Sequence, residues 1–292
     1  MTGGLYPNGS NVRPAAHEAA GVAVAAQVRP LGPDGRPDAV NGQIGMISIG
    51  MSNTSMEFGP FINLAVRDPS VNPMLEITNG AQAGRVSHWW VDPNSDAWVQ
   101  LNARLAHEGL TQAQVQVAWI KQTQTNHGEF PAKAESLETE LRAIVRNLKI
   151  HYPNIKIAYL SSRTRSYLTL RGLSPEPDAY ETGFAVKWLI AGQIAGDADL
   201  NYNPARGPVV APFLSWGPYL WIDGENRRSD GQVWLASDLL ADCTHPSTSG
   251  ADKVAAMLMD FFKTDTTTAW FRTGGAPPVI ELFYFFPWIL NP

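Results

Sequence analysis

Five short apolar runs, each bounded by turn residues and separated by stretches long enough for a helix, constrain this chain more than any other feature. They cover residues 44–49, 74–77, 115–120, 155–160 and 209–214. A strand with one wet face alternates apolar and polar residues; these runs do not alternate, so each reads as a strand buried on both faces. Strands of that kind need helices above and below them. Between the runs, Leu137, Leu141, Ile144, Val145 and Leu148 fall on one helical face and predict a helix over 133–151. Residues 180–194 and 251–262 read as helices too. The expectation is an α/β fold: a three-layer α/β/α sandwich with a mostly parallel five-stranded sheet and right-handed crossovers.

The organisation outside the sheet follows from composition. The first 41 residues are rich in Gly, Pro, Ala and Asn, and read as an arm laid on a domain spanning 42–271. Residues 272–292 form an intensely apolar tail after a Gly-Gly-Ala-Pro-Pro hinge. If native, such a tail either packs back on the domain or docks on a second copy, giving a homo-oligomer. No run of 18 apolar residues predicts a membrane span. The opening residues lack the basic and apolar regions of a signal peptide, which suits a cytoplasmic protein or an exported one whose signal has been removed. A net charge of −5 with no basic, aromatic-interleaved patch excludes a nucleic-acid footprint. Cys243 is the single cysteine, so no intrachain disulfide forms.

Chemistry-bearing residues cluster just past the strands. Ser52 follows the first run in Ser48-Ile49-Gly50-Met51-Ser52-Asn53, at the carboxyl edge where open α/β sheets bind ligands. A serine hydroxyl needs a base to become a nucleophile, and the base needs an acceptor that fixes its tautomer. Asp242 and His245, three apart before the last helix, supply both from one turn. Beyond the second run, the loop from Asn79 to Gly84 can aim a backbone N–H into the site, and Gln122 ends the third run with an amide donor. Asn53, Trp89, Trp90, Arg163 and Trp216 stand near these positions as candidate substrate contacts. No nucleotide-binding loop occurs. His17-Glu18 lacks the second histidine a zinc helix requires, since Gly21 stands there. Neither a metal nor an organic cofactor is expected.

The order Ser, Gly, amide side chain, Asp-x-x-His over about residues 42–265 resembles the SGNH, or GDSL-like, hydrolase family, with its flavodoxin-like sheet. Under that resemblance Ser52 is the nucleophile, Asp242 and His245 the base pair, and the N–H groups of Ser52 and Gly84 (Gly80 less readily) with the Gln122 side chain form the oxyanion hole. Gly50-Met51-Ser52-Asn53 replaces the usual Gly-Asp-Ser-Leu, and Gln122 stands where Asn is expected. Both departures resemble the acetylxylan esterase and sialate O-acetylesterase branch. Trp119-Ile120-Lys121-Gln122 is one residue longer than that branch's Trp-x-Gln block, so Gln124 or Asn126 stay alternatives to Gln122. The resemblance implies a serine esterase removing acetyl groups from carbohydrates. The alternatives are a broad carboxylesterase or arylesterase on small apolar esters, and a non-catalytic carbohydrate-binding protein on the same fold.

Overall fold

The computed structural model describes residues 3–125, 128–168 and 173–274. Its elements run α1 (Ala15–Ala25), β1 (Ile44–Gly50), α2 (Ser52–Arg67), β2 (Leu75–Thr78), α3 (Asp96–His107), β3 (Val115–Lys121), α4 (Ala132–His151), β4 (Ile157–Ser161), α5 (Asp178–Ala195), β5 (Phe213–Trp216) and α6 (Thr248–Thr264). The five strands form one sheet in the order β2-β1-β3-β4-β5 with every neighbour parallel. The expected three-layer α/β/α sandwich is the architecture found.

The two cores explain why the strand sequences do not alternate. Ile47 and Ile49 of β1, with Ala118, Ile120, Leu160 and Leu214, pack under α3, α4 and α5. Ile44 and Met46, with Trp119, Ile157, Tyr159 and Phe213, face α2, α6 and the turn at Thr266–Phe271. Each strand thus sends successive side chains into opposite apolar layers.

Boundaries moved where hydrogen bonds end. The fifth strand starts at Phe213 and not at 209, because Val210 and Ala211 donate their N–H groups back to the Asn201 carbonyl. The fourth starts at Ile157. Ser52, expected on a strand-to-loop turn, instead opens a 16-residue helix directly after β1. The Gly59-Pro60 pair inside α2 masks that helix in the sequence.

Within the first 41 residues, His17 of α1 stacks on Phe213 with ring centroids 4.3 Å apart. Its Nε2 lies 2.9 Å from the Leu214 carbonyl. Arg13 forms ion pairs with both Glu18 and Asp265. The tail beyond Gly274 lies outside the described residues, and so does Asn126. Among the described residues, no helix is long and apolar enough to cross a membrane.

The sheet register aligns the site. Gly50 pairs with Lys121, and Lys121 with Ser161, so the carboxyl ends of β1, β3 and β4 lie in a row. Ser52, Gln122 and Arg163 stand one or two residues beyond that row.

Candidate active site

Ser52 is the first residue of α2. Its approach from β1 requires Gly50: a β-carbon there would lie 2.2 Å from Thr54 Oγ1 and 2.5 Å from the Lys121 carbonyl oxygen. Thr54 Oγ1 instead donates to that carbonyl at 2.8 Å, seaming the helix start to β3. The position leaves Ser52 at the positive end of the helix dipole, where N–H groups have no intrahelical partner.

His245 arrives 193 residues later and places Nε2 2.7 Å from Ser52 Oγ. Its Nδ1 is 2.6 Å from Asp242 Oδ2. Asp242 Oδ1 accepts the N–H groups of Thr244, at 3.1 Å, and His245, at 3.0 Å. Cys243 takes a left-handed φ of 59°, which turns the chain tightly enough for one carboxylate to serve both backbone and ring. A carboxylate only accepts, so the proton of Nδ1 points at Asp242 and the Nε2 lone pair faces Ser52. Burial pushes the Asp242 carboxyl up, but the His245 N–H and ring, with the Thr244 N–H, outweigh it and hold it below the usual range.

Three successive carbonyls of this loop are held by the body of the protein. Tyr167 N–H donates to Cys243, Asn53 Nδ2 donates to Thr244 at 2.6 Å, and Leu240 N–H donates to His245 at 2.8 Å. Asn53, expected as a substrate contact, is buried in this role, so its amide is already committed to the protein.

The expected donors occupy different settings. Gly84 is exposed with a left-handed φ of 72° and open space where a side chain would project. Among the described residues its N–H meets no partner. Gln122 is buried and donates through Nε2 to the Arg85 carbonyl at 3.3 Å. Gln124 donates to Ser136 Oγ. Gly80 serves packing: a β-carbon on it would sit 2.4 Å from both the Ser48 carbonyl oxygen and Leu101 Cδ1.

The remaining candidates separate. Trp89 is 38% exposed, with the Arg85 guanidinium 3.9 Å over its ring. Trp90 is fully buried, edge-on to Trp98 at 5.1 Å, so it is a core residue and not a substrate wall. Trp216 is buried as well, and its Nε1 donates to the Leu5 carbonyl. It borders a cavity of about 1090 Å³ with Tyr219, Phe184 and Phe261, but neither Ser52 nor His245 lines that space. That cavity and the serine–histidine pair therefore lie apart, and the hydrogen-bonded pair is the better guide to chemistry. Arg163, expected to grip substrate, is buried and donates to the Leu173 carbonyl at 3.0 Å and to Thr244 Oγ1 at 3.2 Å.

One part of the site was not anticipated. Glu57, on α2, and Lys121, at the end of β3, are both buried and ion-paired. The visible signal is a lysine closing a strand that is otherwise apolar but for Gln116.

The sequence matches no protein-family model and no curated protein. Solved structures give three instructive similarities. The chain is similar to a proposed SGNH hydrolase from Slackia heliotrinireducens at 16% identity, covering 75% of this chain and 99% of that one, with a TM-score of 0.39. It is similar to a carbohydrate esterase family 3 protein from Talaromyces cellulolyticus at 10% identity, covering 74% and 94%, with a TM-score of 0.43. It is similar to the C-terminal catalytic domain of a Streptococcus pneumoniae peptidoglycan O-acetyltransferase at 13% identity, covering 76% and 93%, with a TM-score of 0.38. The functional reading rests on the hydrogen-bonded line from Ser52 through His245 to Asp242, and not on these likenesses.

Proposed function

We propose that the protein is a serine esterase acting on short-chain, chiefly acetyl, esters of carbohydrates by a two-step acyl-enzyme mechanism. The observation that carries this reading is the 2.7 Å contact of Ser52 Oγ with His245 Nε2, continued by the 2.6 Å contact of His245 Nδ1 with Asp242. In the first step His245 takes the Ser52 proton as Oγ attacks the ester carbonyl. The resulting imidazolium is held by Asp242. The tetrahedral oxyanion forms beside the Ser52 N–H at the start of α2, with the unpartnered Gly84 N–H and the second hydrogen of the Gln122 amide as further donors. His245 then returns the proton to the departing alcohol. Water, deprotonated by the same imidazole, then attacks the acyl carbonyl, and His245 gives that proton to Ser52 Oγ as the acid leaves. No step calls on a metal or an organic cofactor. Trp89, exposed and stacked under Arg85, offers an aromatic face to a sugar ring.

Hydrolysis of p-nitrophenyl acetate by the wild type and by Ser52→Ala tests the chemistry, alongside labelling of Ser52 with a fluorophosphonate and peptide mass analysis. Activity and label should both vanish in the variant while the melting temperature holds. Full activity in Ser52→Ala would sink the assignment. Acetylated xylo-oligosaccharides compared with p-nitrophenyl esters of rising chain length test the substrate class.

A further inference from the structure

The His245 loop is gripped from two sides at one residue, Thr244. Its carbonyl accepts from Asn53 Nδ2, the side chain next to the nucleophile. Its hydroxyl accepts from Arg163 Nη2 and donates to the Leu173 carbonyl at 3.3 Å. Arg163 in turn donates through Nη1 to the same Leu173 carbonyl, and its backbone N–H donates to Thr182 Oγ1 at 2.9 Å. Arg163 therefore stands two residues after β4 and is tied to α5 through Thr182, so its backbone is anchored to the body of the fold. Asn53 stands on the helix that begins with Ser52. Thr244 is the point where the two supports meet, one residue from His245.

The chemistry of Arg163 fits a support and not a substrate contact. Its side chain is buried, and its planar fork is divided between Leu173 and Thr244. Burial pushes the guanidinium down against the pull of Glu57, which favours its charged form, and Lys121 lies close enough for the two cations to act on each other. A guanidinium keeps fixed donor directions, whereas the single ammonium of a lysine cannot reach two acceptors in the same geometry.

We propose that Arg163 is a positioning residue that holds His245 against Ser52 by acting through Thr244, in concert with Asn53. The inference rests on the esterase reading for its kinetic test, and has a second test that does not. Thr244 and His245 N–H groups bond Asp242 in this loop, so the stiffness of the loop is readable by amide hydrogen exchange.

The experiment compares Arg163→Met, Thr244→Val, the double variant, and Thr244→Ser. With p-nitrophenyl acetate, kcat should fall about 10- to 100-fold in each single variant with KM within about twofold. The double variant should lose no more than the worse single one, because both remove one support. Thr244→Ser, which keeps the hydroxyl, should restore most of kcat. Exchange at the Thr244 and His245 amides should quicken about tenfold or more in Arg163→Met and Thr244→Val, while the amides of β3 stay protected. Unchanged exchange overturns the inference whatever the activity. Multiplicative kinetic losses in the double variant also overturn it. If Arg163→Met does not fold, Thr244→Val and Thr244→Ser decide alone, and wild-type exchange and kcat in Thr244→Val reject it. A wild type that neither turns over ester nor takes the phosphonate on Ser52 fails the esterase reading, and the exchange result then still judges the support.

Discussion

Lys121 Nζ lies 2.5 Å from each carboxylate oxygen of Glu57, and neither side chain reaches solvent. Burial pushes the Lys121 ammonium down to about 8, with the Glu57 charge opposing the shift. Burial likewise pushes the Glu57 carboxyl up against the pull of Lys121. Each partner is tolerable in the interior only because of the other. Glu57→Gln should cost about 3–5 kcal/mol by leaving a buried ammonium without its counter-charge. For a domain of this size that is a fall in melting temperature on the order of 10 °C. Glu57→Leu combined with Lys121→Met should recover most of the loss. A double variant as unstable as Glu57→Gln would show that the pair does more than neutralise itself. Thermal denaturation followed by circular dichroism gives the comparison.

Asp242 has a separate test. Its side chain is 42% exposed, less enclosed than His245 at 24%. Asp242→Asn should leave the backbone turn largely intact while removing the acceptor that orients the ring. The expected loss in kcat is about 10²–10⁴, with a melting temperature close to wild type. Undiminished turnover would show that the loop backbone alone orients His245.

Gly50 and Gly84 should respond differently to alanine. Gly50→Ala meets a hydroxyl and a backbone carbonyl below contact distance, so α2 must shift away from β3. We expect a cost of about 3 kcal/mol and loss of activity with it. Gly84→Ala meets nothing, and pays only the strain of a left-handed backbone, about 1–2 kcal/mol.

Stability should depend on pH through Asp68, which links the end of α2 to α6. Lys263 Nζ lies 2.7 Å from its carboxylate, and Ser70 donates through both N–H and hydroxyl. The Lys263 bond first, then those from Ser70, hold the carboxyl at about 2, below its ordinary value of 3.8. A depressed carboxylate stabilises the fold above its unfolded value and loses that contribution as pH falls through the folded one. Asp68→Asn should therefore melt a few degrees below wild type at neutral pH. The gap should close between about pH 4 and pH 2. A gap independent of pH would assign the effect to lost packing.

The layered sheet was readable because strands buried on both faces leave a mainly apolar signature that does not alternate, as 115–120 does over β3 with Gln116 its one polar member. Ser52, Asp242 and His245, which the structure brings within hydrogen-bond reach, stand out in the sequence because each falls at a predictable edge of that sheet or before its last helix. The tryptophans were not. Trp89 and Trp90 are neighbours of identical type, yet a short helix at Ser87–Trp90 turns one outward and the other into the core. Nothing in residue type or spacing distinguishes them. Arg163 and Asn53 stand at the edge of the sheet, where substrate contacts are expected, but both are tied to Thr244, which lies 81 and 191 residues further along the chain. Glu57 and Lys121 are 64 apart in sequence and become a pair only when α2 lies across β3.

The 193-residue separation of Ser52 and His245 also fixes when the chemistry can appear during folding. The nucleophile's helix can form early, from local contacts. The imidazole meets the hydroxyl only once β4, α5 and the C-terminal α6 have docked around it, the slowest kind of closure to make. Regained ester turnover is thus a clock for the final act of folding. In a refolding experiment it should lag behind the recovery of tryptophan fluorescence from the core.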